Sequence, residues 1–242
     1  MWRTWPGFTC PEVAAVLLGG TMVGLLAPLI VHDAGPNAGM RFVAAGLLAM
    51  LLLPPLLSML RRRVGPEPNT LANIVTLSRL VAGCVLAAFV VSGARDRMRL
   101  PAVLIWLLVV LAATVTDWVD GPLARREGAT RFGAVLDIES DSWLTLWCAG
   151  AAVALGGLPW MCLLPPLARY MHPLLDLRSG KLPAGGGPWW SRVTGVAQMA
   201  MLLAAIAPVA GEVRDAVLAA IVWPVSLAQM ATVLALLALR RE

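Results

Sequence analysis

The chain has 242 residues, 59% hydrophobic and only 14% charged, with a formal net charge of +5. A soluble domain sits nearer 45–50% apolar and about 25% charged. This composition, with a mean hydropathy of +0.79, therefore excludes an ordinary soluble domain and describes an integral, multi-pass protein of the cell membrane. The excess charge is nearly all arginine, and no basic face stands on a soluble module. Nucleic acid is excluded as a partner, and the charge belongs to loops held in the cytoplasm among membrane lipids.

At roughly 20 residues per span, the chain has room for about eight helices. Apolar segments run at roughly 12–31, 40–60, 71–92, 100–119, 137–157, 159–177, 191–210 and 215–239. Gly- and Pro-marked breaks separate them, among them HDAGPNAG at 32–39, RRRVGPEPN at 61–69 and the glycine-rich LRSGKLPAGGGP at 177–188. The pattern predicts an all-α, polytopic membrane helix bundle. With the N-terminus in the cytoplasm, Arg3, Arg61, Arg62, Arg63, Arg125, Arg126, Arg131, Arg178, Lys181, Arg192, Arg240 and Arg241 fall on the cytoplasmic side, while Arg41, Arg95, Arg97, Arg99 and Arg214 fall outside. Pro54, Pro55, Pro165, Pro166 and Pro173 are expected to kink or break their helices. Trp2, Trp5, Trp160, Trp189 and Trp190 lie at span ends, as an interfacial belt requires. Cys10, Cys84, Cys148 and Cys162 form no CxxC pair and read as inert thiols, and His32 and His172 are isolated.

One stretch departs from this background. Asp117 to Asp141 reads DWVDGPLARREGATRFGAVLDIESD and holds Asp117, Asp120, Asp137 and Asp141. The first pair is spaced i, i+3 and the second i, i+4, so on helices each pair shares a face. A carboxylate near the bilayer centre costs about 2.5–3.5 kcal/mol on insertion scales. Such a group needs water, a metal or a partner charge. Asp117, Asp120 and Asp137 can offer anionic oxygens to one hard divalent cation, and Asp141 can join them or act as a base. Gly121 removes a side chain beside the second carboxylate, and Arg125 offers a forked donor to a phosphate. Thr130 and Gly133 fall in the polar turn before the second helix. Arg126, Glu127 and Arg131 read as loop charges, and Glu139 points to another face of its helix.

The spacing DxxDGxxAR, seven residues, GxxxDxxxD resembles the signature of the CDP-alcohol phosphotransferase family. Its fixed positions here are Asp117, Asp120, Gly121, Ala124, Arg125, Gly133, Asp137 and Asp141. Upstream, LANIVTLSR at 71–79 is similar to the opening of that family's first core helix, with Asn73, Thr76 and Arg79. The resemblance implies a six-helix core over 68–242, with residues 1–67 adding two N-terminal transmembrane helices, and a homodimer as a common assembly. It implies an enzyme of phospholipid biosynthesis that takes CDP-diacylglycerol or another CDP-alcohol, passes its substituted phosphate to a small hydroxyl acceptor and releases CMP, facing the cytoplasm. Mg2+ or Mn2+ would be held by Asp117, Asp120, Asp137 and Asp141, with Asp141 also the general base. Asn73, Thr76, Gly121, Ala124, Arg125, Thr130 and Gly133 would bind the nucleotide and its phosphates.

The acceptor is less legible. Ser142 and Trp143 follow the last aspartate where members using phosphorylated acceptors often carry a basic residue. Arg169 stands either as a structural partner or as an acceptor group, and Arg178, Lys181 and Arg192 fringe the same side. Two other functions compete. One is a CDP-choline or CDP-ethanolamine type of transfer to a lipid hydroxyl, and the other a transporter with an intramembrane carboxylate site. The Gly-Ala-Arg spacing speaks against the transporter, because an ion pathway does not require it.

Overall fold

Long runs of Ala, Leu and Val with little charge can satisfy their backbone inside a bilayer only by winding into helices. The computed structural model describes residues 10–65, 67, 70–93, 100–128, 130–170, 188–207 and 211–239, and leaves the side chains of a few helical residues, Asp117, Trp118 and Asp120 among them, undescribed. The described chain is helical throughout, with no strand. The helices are α1 (Cys10–Ala34), α2 (Pro36–Val64), α3 (Leu71–Ser92), α4 (Leu100–Glu127), α5 (Arg131–Gly156), a 3-10 turn (Trp160–Leu163), α6 (Leu164–Arg169), α7 (Trp189–Ile206) and α8 (Glu212–Leu239).

Among the described residues, four stretches are long and apolar enough to cross a bilayer, namely Glu12–Ala34, Pro36–Arg62, Leu71–Ser92 and Glu212–Leu236, and α4 makes a fifth if its two bent halves are one span. The expectation of eight such spans is met only in part, for local reasons. α5 carries Arg131, Asp137, Glu139 and Asp141 in its first half. α7 is 18 residues long and spends part of that length on Trp189, Trp190, Ser191, Arg192, Thr194 and Gln198. The segment expected at 159–177 begins as a 3-10 turn and the six-residue α6, whose first turn holds Pro165 and Pro166. The rest of it, with Pro173, Arg178 and Lys181, lies outside the described residues. Pro54 and Pro55 do not break α2, which continues from Pro36 to Val64. Proline's fixed φ suits a helix, and losing two backbone bonds costs less in lipid than abandoning the helix would.

The chain forms two compact units, Met1–Leu144 and Thr145–Glu242, and their boundary falls inside α5. In the first unit α3 is central. Its apolar stretch is 72% buried, against 22% for α1 and for α2, so α1 and α2 present most of their surface outward and one stripe each to α3. That stripe is close-packed: a Cβ on Gly46 would press on Val23 of α1 and Ala88 of α3. On another face of α3, Gly83 leaves room for the indole of Trp143 on α5. Thr70 starts α3 by accepting the Asn73 N–H at 3.2 Å, and Gly93 ends it in the left-handed conformation at φ 63°. Leu77, Leu80, Val81, Val85, Leu86 and Phe89 fill the core between these ends.

In the second unit, α7 pairs with α8, and the 3-10 turn and α6 rest on α8. Polar side chains mark the seams. The Thr194 and Thr232 hydroxyls lie 3.1 Å apart, and the Cys162 thiol is 3.7 Å from the Ser226 hydroxyl. Arg214 donates to the Ala207 carbonyl just past the end of α7. Cys84, Cys148 and Cys162 are free and buried. Trp160 and Trp189 are well exposed.

Candidate active site

The site begins on α3. Asn73, Thr76 and Arg79 are spaced by three residues and follow one face of the helix, and all three are buried. The Thr76 hydroxyl donates back to the Ala72 carbonyl at 3.0 Å, which fixes its rotamer. Arg79 reaches across to α5. One guanidinium nitrogen, Nη1, donates to Asp137 Oδ1 at 3.0 Å and to Asp141 Oδ1 at 2.7 Å. The arginine side chain is 1% exposed, whereas those of Asp137 and Asp141 are 45% and 35% exposed. An arginine stays charged in any such setting, so it must be buried with counter-charge. Two carboxylates one helical turn apart supply counter-charge, and each keeps an open side. That arrangement suits a hard cation or a proton.

Below this pair lies the junction of the two motif helices. Gly128, at φ 94°, turns the chain between α4 and α5, a conformation that suits glycine. Thr130 accepts the Gly133 N–H at 2.9 Å, so α5 starts at Arg131. Gly133 is thus the third residue of α5 rather than part of a polar turn, and Thr130 is the capping residue. A Cβ on Gly133 would stand 2.5 Å from Asn73 Oδ1 and 2.9 Å from Thr130 Oγ1. The absence of that carbon lets α3 and α5 approach. Asn73 Nδ2 is buried there without a hydrogen-bond partner. A buried donor left unmade costs about 1–3 kcal/mol, and such a group in a native fold calls for a ligand or a water.

Two carboxylates fasten the same end of the bundle. Glu67 Oε2 accepts the Phe132 N–H at 2.8 Å, and Glu127 Oε2 accepts the Ala72 N–H at 3.3 Å. Each places negative charge on the positive end of a helix. Glu127 is exposed at the end of α4, as a solvated charge would be, and is also tied to α3. Nothing local in the sequence reveals either bond, because the partners are 65 and 55 residues apart. Arg79 was legible only as part of the upstream segment; its link to the aspartates was not.

On the other side of the junction, α4 extends to Glu127, so Gly121, Ala124 and Arg125 are helical. The axis bends by 40° between Val103–Thr116 and Gly121–Glu127. Pro122 accounts for it, since its ring excludes the hydrogen bond to residue 118 and clashes there. Arg125 Nη1 lies 3.6 Å from the position a Cβ on Gly121 would take, so this chain's own guanidinium occupies the space beside the glycine. Asp117 and Asp120 are on α4, and their side chains are outside the described set. Among the described residues, Asp137 and Asp141 pair without a third metal-type ligand. Arg169 is the last residue of α6 rather than an interior one, and Arg192 is exposed in the first turn of α7.

Residues 69–238 match the family model of the CDP-alcohol phosphatidyltransferases. The matched region takes in α3 with Asn73, Thr76 and Arg79, and the whole α4–α5 motif. Over 108 residues the chain is 35% identical to a CDP-diacylglycerol–glycerol-3-phosphate 3-phosphatidyltransferase 2 of Arabidopsis thaliana; that stretch is 41% of this chain and 44% of the relative's length. No solved structure matches. With more than half of its length inside the family model, this chain belongs to the CDP-alcohol phosphatidyltransferase family, a class of enzymes that transfer substituted phosphate groups.

Proposed function

We propose that the protein transfers a phosphatidyl group from CDP-diacylglycerol to the hydroxyl of a small alcohol and releases CMP, as a step in phospholipid synthesis on the cytoplasmic face of the membrane. The observation that carries this reading is the pairing of Asp137 and Asp141 by the buried Arg79, next to the unpartnered amide of Asn73. The acceptor we favour carries a phosphate, as glycerol 3-phosphate does, because the similar Arabidopsis protein is a glycerol-3-phosphate 3-phosphatidyltransferase.

In this reading the donor's diphosphate lies over the α4–α5 junction. Asn73 Nδ2 and the Thr130 hydroxyl hold nucleotide or phosphate oxygens; Gly133 lets α3 and α5 close up so that these groups stand together, and Gly121 leaves room for the Arg125 guanidinium beside them. Arg125 and Thr76 complete the nucleotide side, with Ala124 keeping that face of α4 small. Asp141 takes the proton of the acceptor hydroxyl as its oxygen bonds to the phosphorus distal to cytidine. The bond from that phosphorus to the bridging oxygen breaks, and CMP leaves with the electron pair. Asp117, Asp120, Asp137 and Asp141 would hold Mg2+ or Mn2+, which fits the partly exposed carboxylates of Asp137 and Asp141 and would supply charge neutralisation on the diphosphate. Arg79, fixed between two carboxylates, keeps Asp141 aimed while that chemistry proceeds.

The test is the purified protein in mixed micelles with CDP-diacylglycerol and a panel of glycerol 3-phosphate, inositol phosphate, serine, inositol and glycerol. CMP release that needs one acceptor, stops with EDTA and returns with Mg2+ or Mn2+ is the expected result. Release only from CDP-choline or CDP-ethanolamine with diacylglycerol would replace this reading by transfer to a lipid hydroxyl. No CMP from any donor would end both.

A further inference from the structure

Two helices precede the region matched to the family, and one residue ties them to the site. Arg61, near the end of α2, donates from Nε to Glu12 Oε1 on α1 at 2.5 Å. Glu12 is fully buried and the Arg61 side chain is 17% exposed. The other side of the same guanidinium lies over the ring of Phe132, 4.1 Å from its centroid. Phe132 is 1% exposed and is the second residue of α5. It stands between Thr130 and Gly133, the residue that comes up against Asn73, and its N–H is the one held by Glu67.

A charge-only function for Arg61 would be met by any water-facing lysine. The observed geometry is more demanding. A carboxylate with no exposure fixes the guanidinium from one direction, and a flat aromatic face receives it from another. Arginine's planar, weakly hydrated cation suits both contacts at once. The ring it covers belongs to the first turn of α5, ahead of Asp137 and Asp141. Asp137 and Asp141 have their own tether in Arg79, so the hold on Phe132 acts on the junction that precedes them.

We propose that Arg61 is a positioning residue through which the N-terminal pair α1–α2 sets the first turn of α5, and with it the junction of Asn73, Thr130 and Gly133, for a CDP-alcohol's diphosphate. This extends the proposed transfer reaction and rests on it for the identity of the ligand. The two added helices are then part of the binding apparatus rather than a membrane anchor alone.

The test uses full-length protein in detergent. Glu12→Gln combined with Arg61→Met removes both charges of this pair together and keeps side-chain volume. The expected outcome is a melting temperature near that of the unaltered protein, a KM for the CDP-alcohol raised about 5- to 30-fold, and kcat changed by less than about twofold. Amide exchange in residues 131–136 should quicken, while that in 145–154 stays as it was. If the double variant does not fold, Arg61→Lys, which keeps a cation for Glu12 without the planar face, should still raise KM and quicken exchange at 131–136, each by a smaller factor. An unchanged KM together with unchanged exchange at 131–136 overturns the proposal. So does a fall in kcat and melting temperature with KM intact, which marks a merely structural pair. If the unaltered protein releases no CMP from any donor, the transfer reading fails, and the exchange measurement still decides whether Arg61 holds α5.

Discussion

α5 sets Asp137 and Asp141 one turn apart, and Nη1 of Arg79 bridges their carboxylates. Because both bonds leave Nη1, a point charge can replace the guanidinium in kind but not in reach. Arg79→Lys should therefore keep part of the activity, with roughly a tenfold loss. Arg79→Met leaves two carboxylates facing each other without a cation, and should lose about 100-fold or more, since small misplacements of a reacting group cost that much. Steady-state CMP release compared across the two variants checks this; equal loss in both would mean that charge is not what Arg79 supplies. Asp141→Asn keeps size and hydrogen bonding but takes no proton. Turnover should fall by about 100- to 10,000-fold while CDP titration in the presence of Mn2+ changes little, and parallel loss of both would remove Asp141 from the base role. The spacing of the aspartates was readable in the sequence because i, i+4 is a local relation. Their partner was not, because Arg79 lies 58 residues from one and 62 from the other, and only the fold brings it there.

Among the elements, the beginnings of α3 and α5 are fastened by carboxylates donated from elsewhere in the chain. Glu67 precedes α3 and holds α5; Glu127 ends α4 and holds α3. The result is a closed ring of α3, α4 and α5 at one end of the first unit, around the Asn73–Gly133 approach. Each bond joins a charge to a backbone N–H on a helix's first turn, an interaction worth about 0.3–1 kcal/mol in exposed settings and up to about 2 when partly buried. Glu67→Ala and Glu127→Ala should each lower the melting temperature in detergent by a few degrees, about 2–4 °C per kcal/mol for a chain of this size. Because both close the same ring, the double variant should depart from the sum of the single effects; strict additivity would show the two bonds to be independent. The sequence marked where α4 and α5 lie but not where they meet. Gly121 and Pro122 look like a helix end, yet Leu123 to Glu127 continue the helix beyond a bend. The true stop is Gly128, whose positive φ is a property of backbone that composition does not announce.

At the scale of the whole chain, the N-terminal helices raise the question of what happens when they are removed. A family match that begins at residue 69 invites a shortened protein starting near residue 68. The packing of α3 argues against it. Gly46 of α2 brings Val23 against Ala88, and Gly19 of α1 sits against Met50 and Val81, so the α1–α2 pair packs closely on a face of α3. Removal would also take Arg61 from Phe132 and Glu12 from Arg61. Lipid tails can replace apolar contacts in a membrane at little cost, because there is no hydrophobic drive between helices there; what they cannot replace is close packing at small residues. The expected outcome is thus specific. The shortened chain should insert into membranes, since α3 and α8 are apolar enough to span. It should then extract into mild detergent as a broad, aggregated peak on size exclusion, with CMP release at background. A sharp monodisperse peak with the CDP-alcohol KM of the full chain would show that α1 and α2 are dispensable, and that the contacts of Val23, Gly46 and Arg61 hold nothing that the site needs.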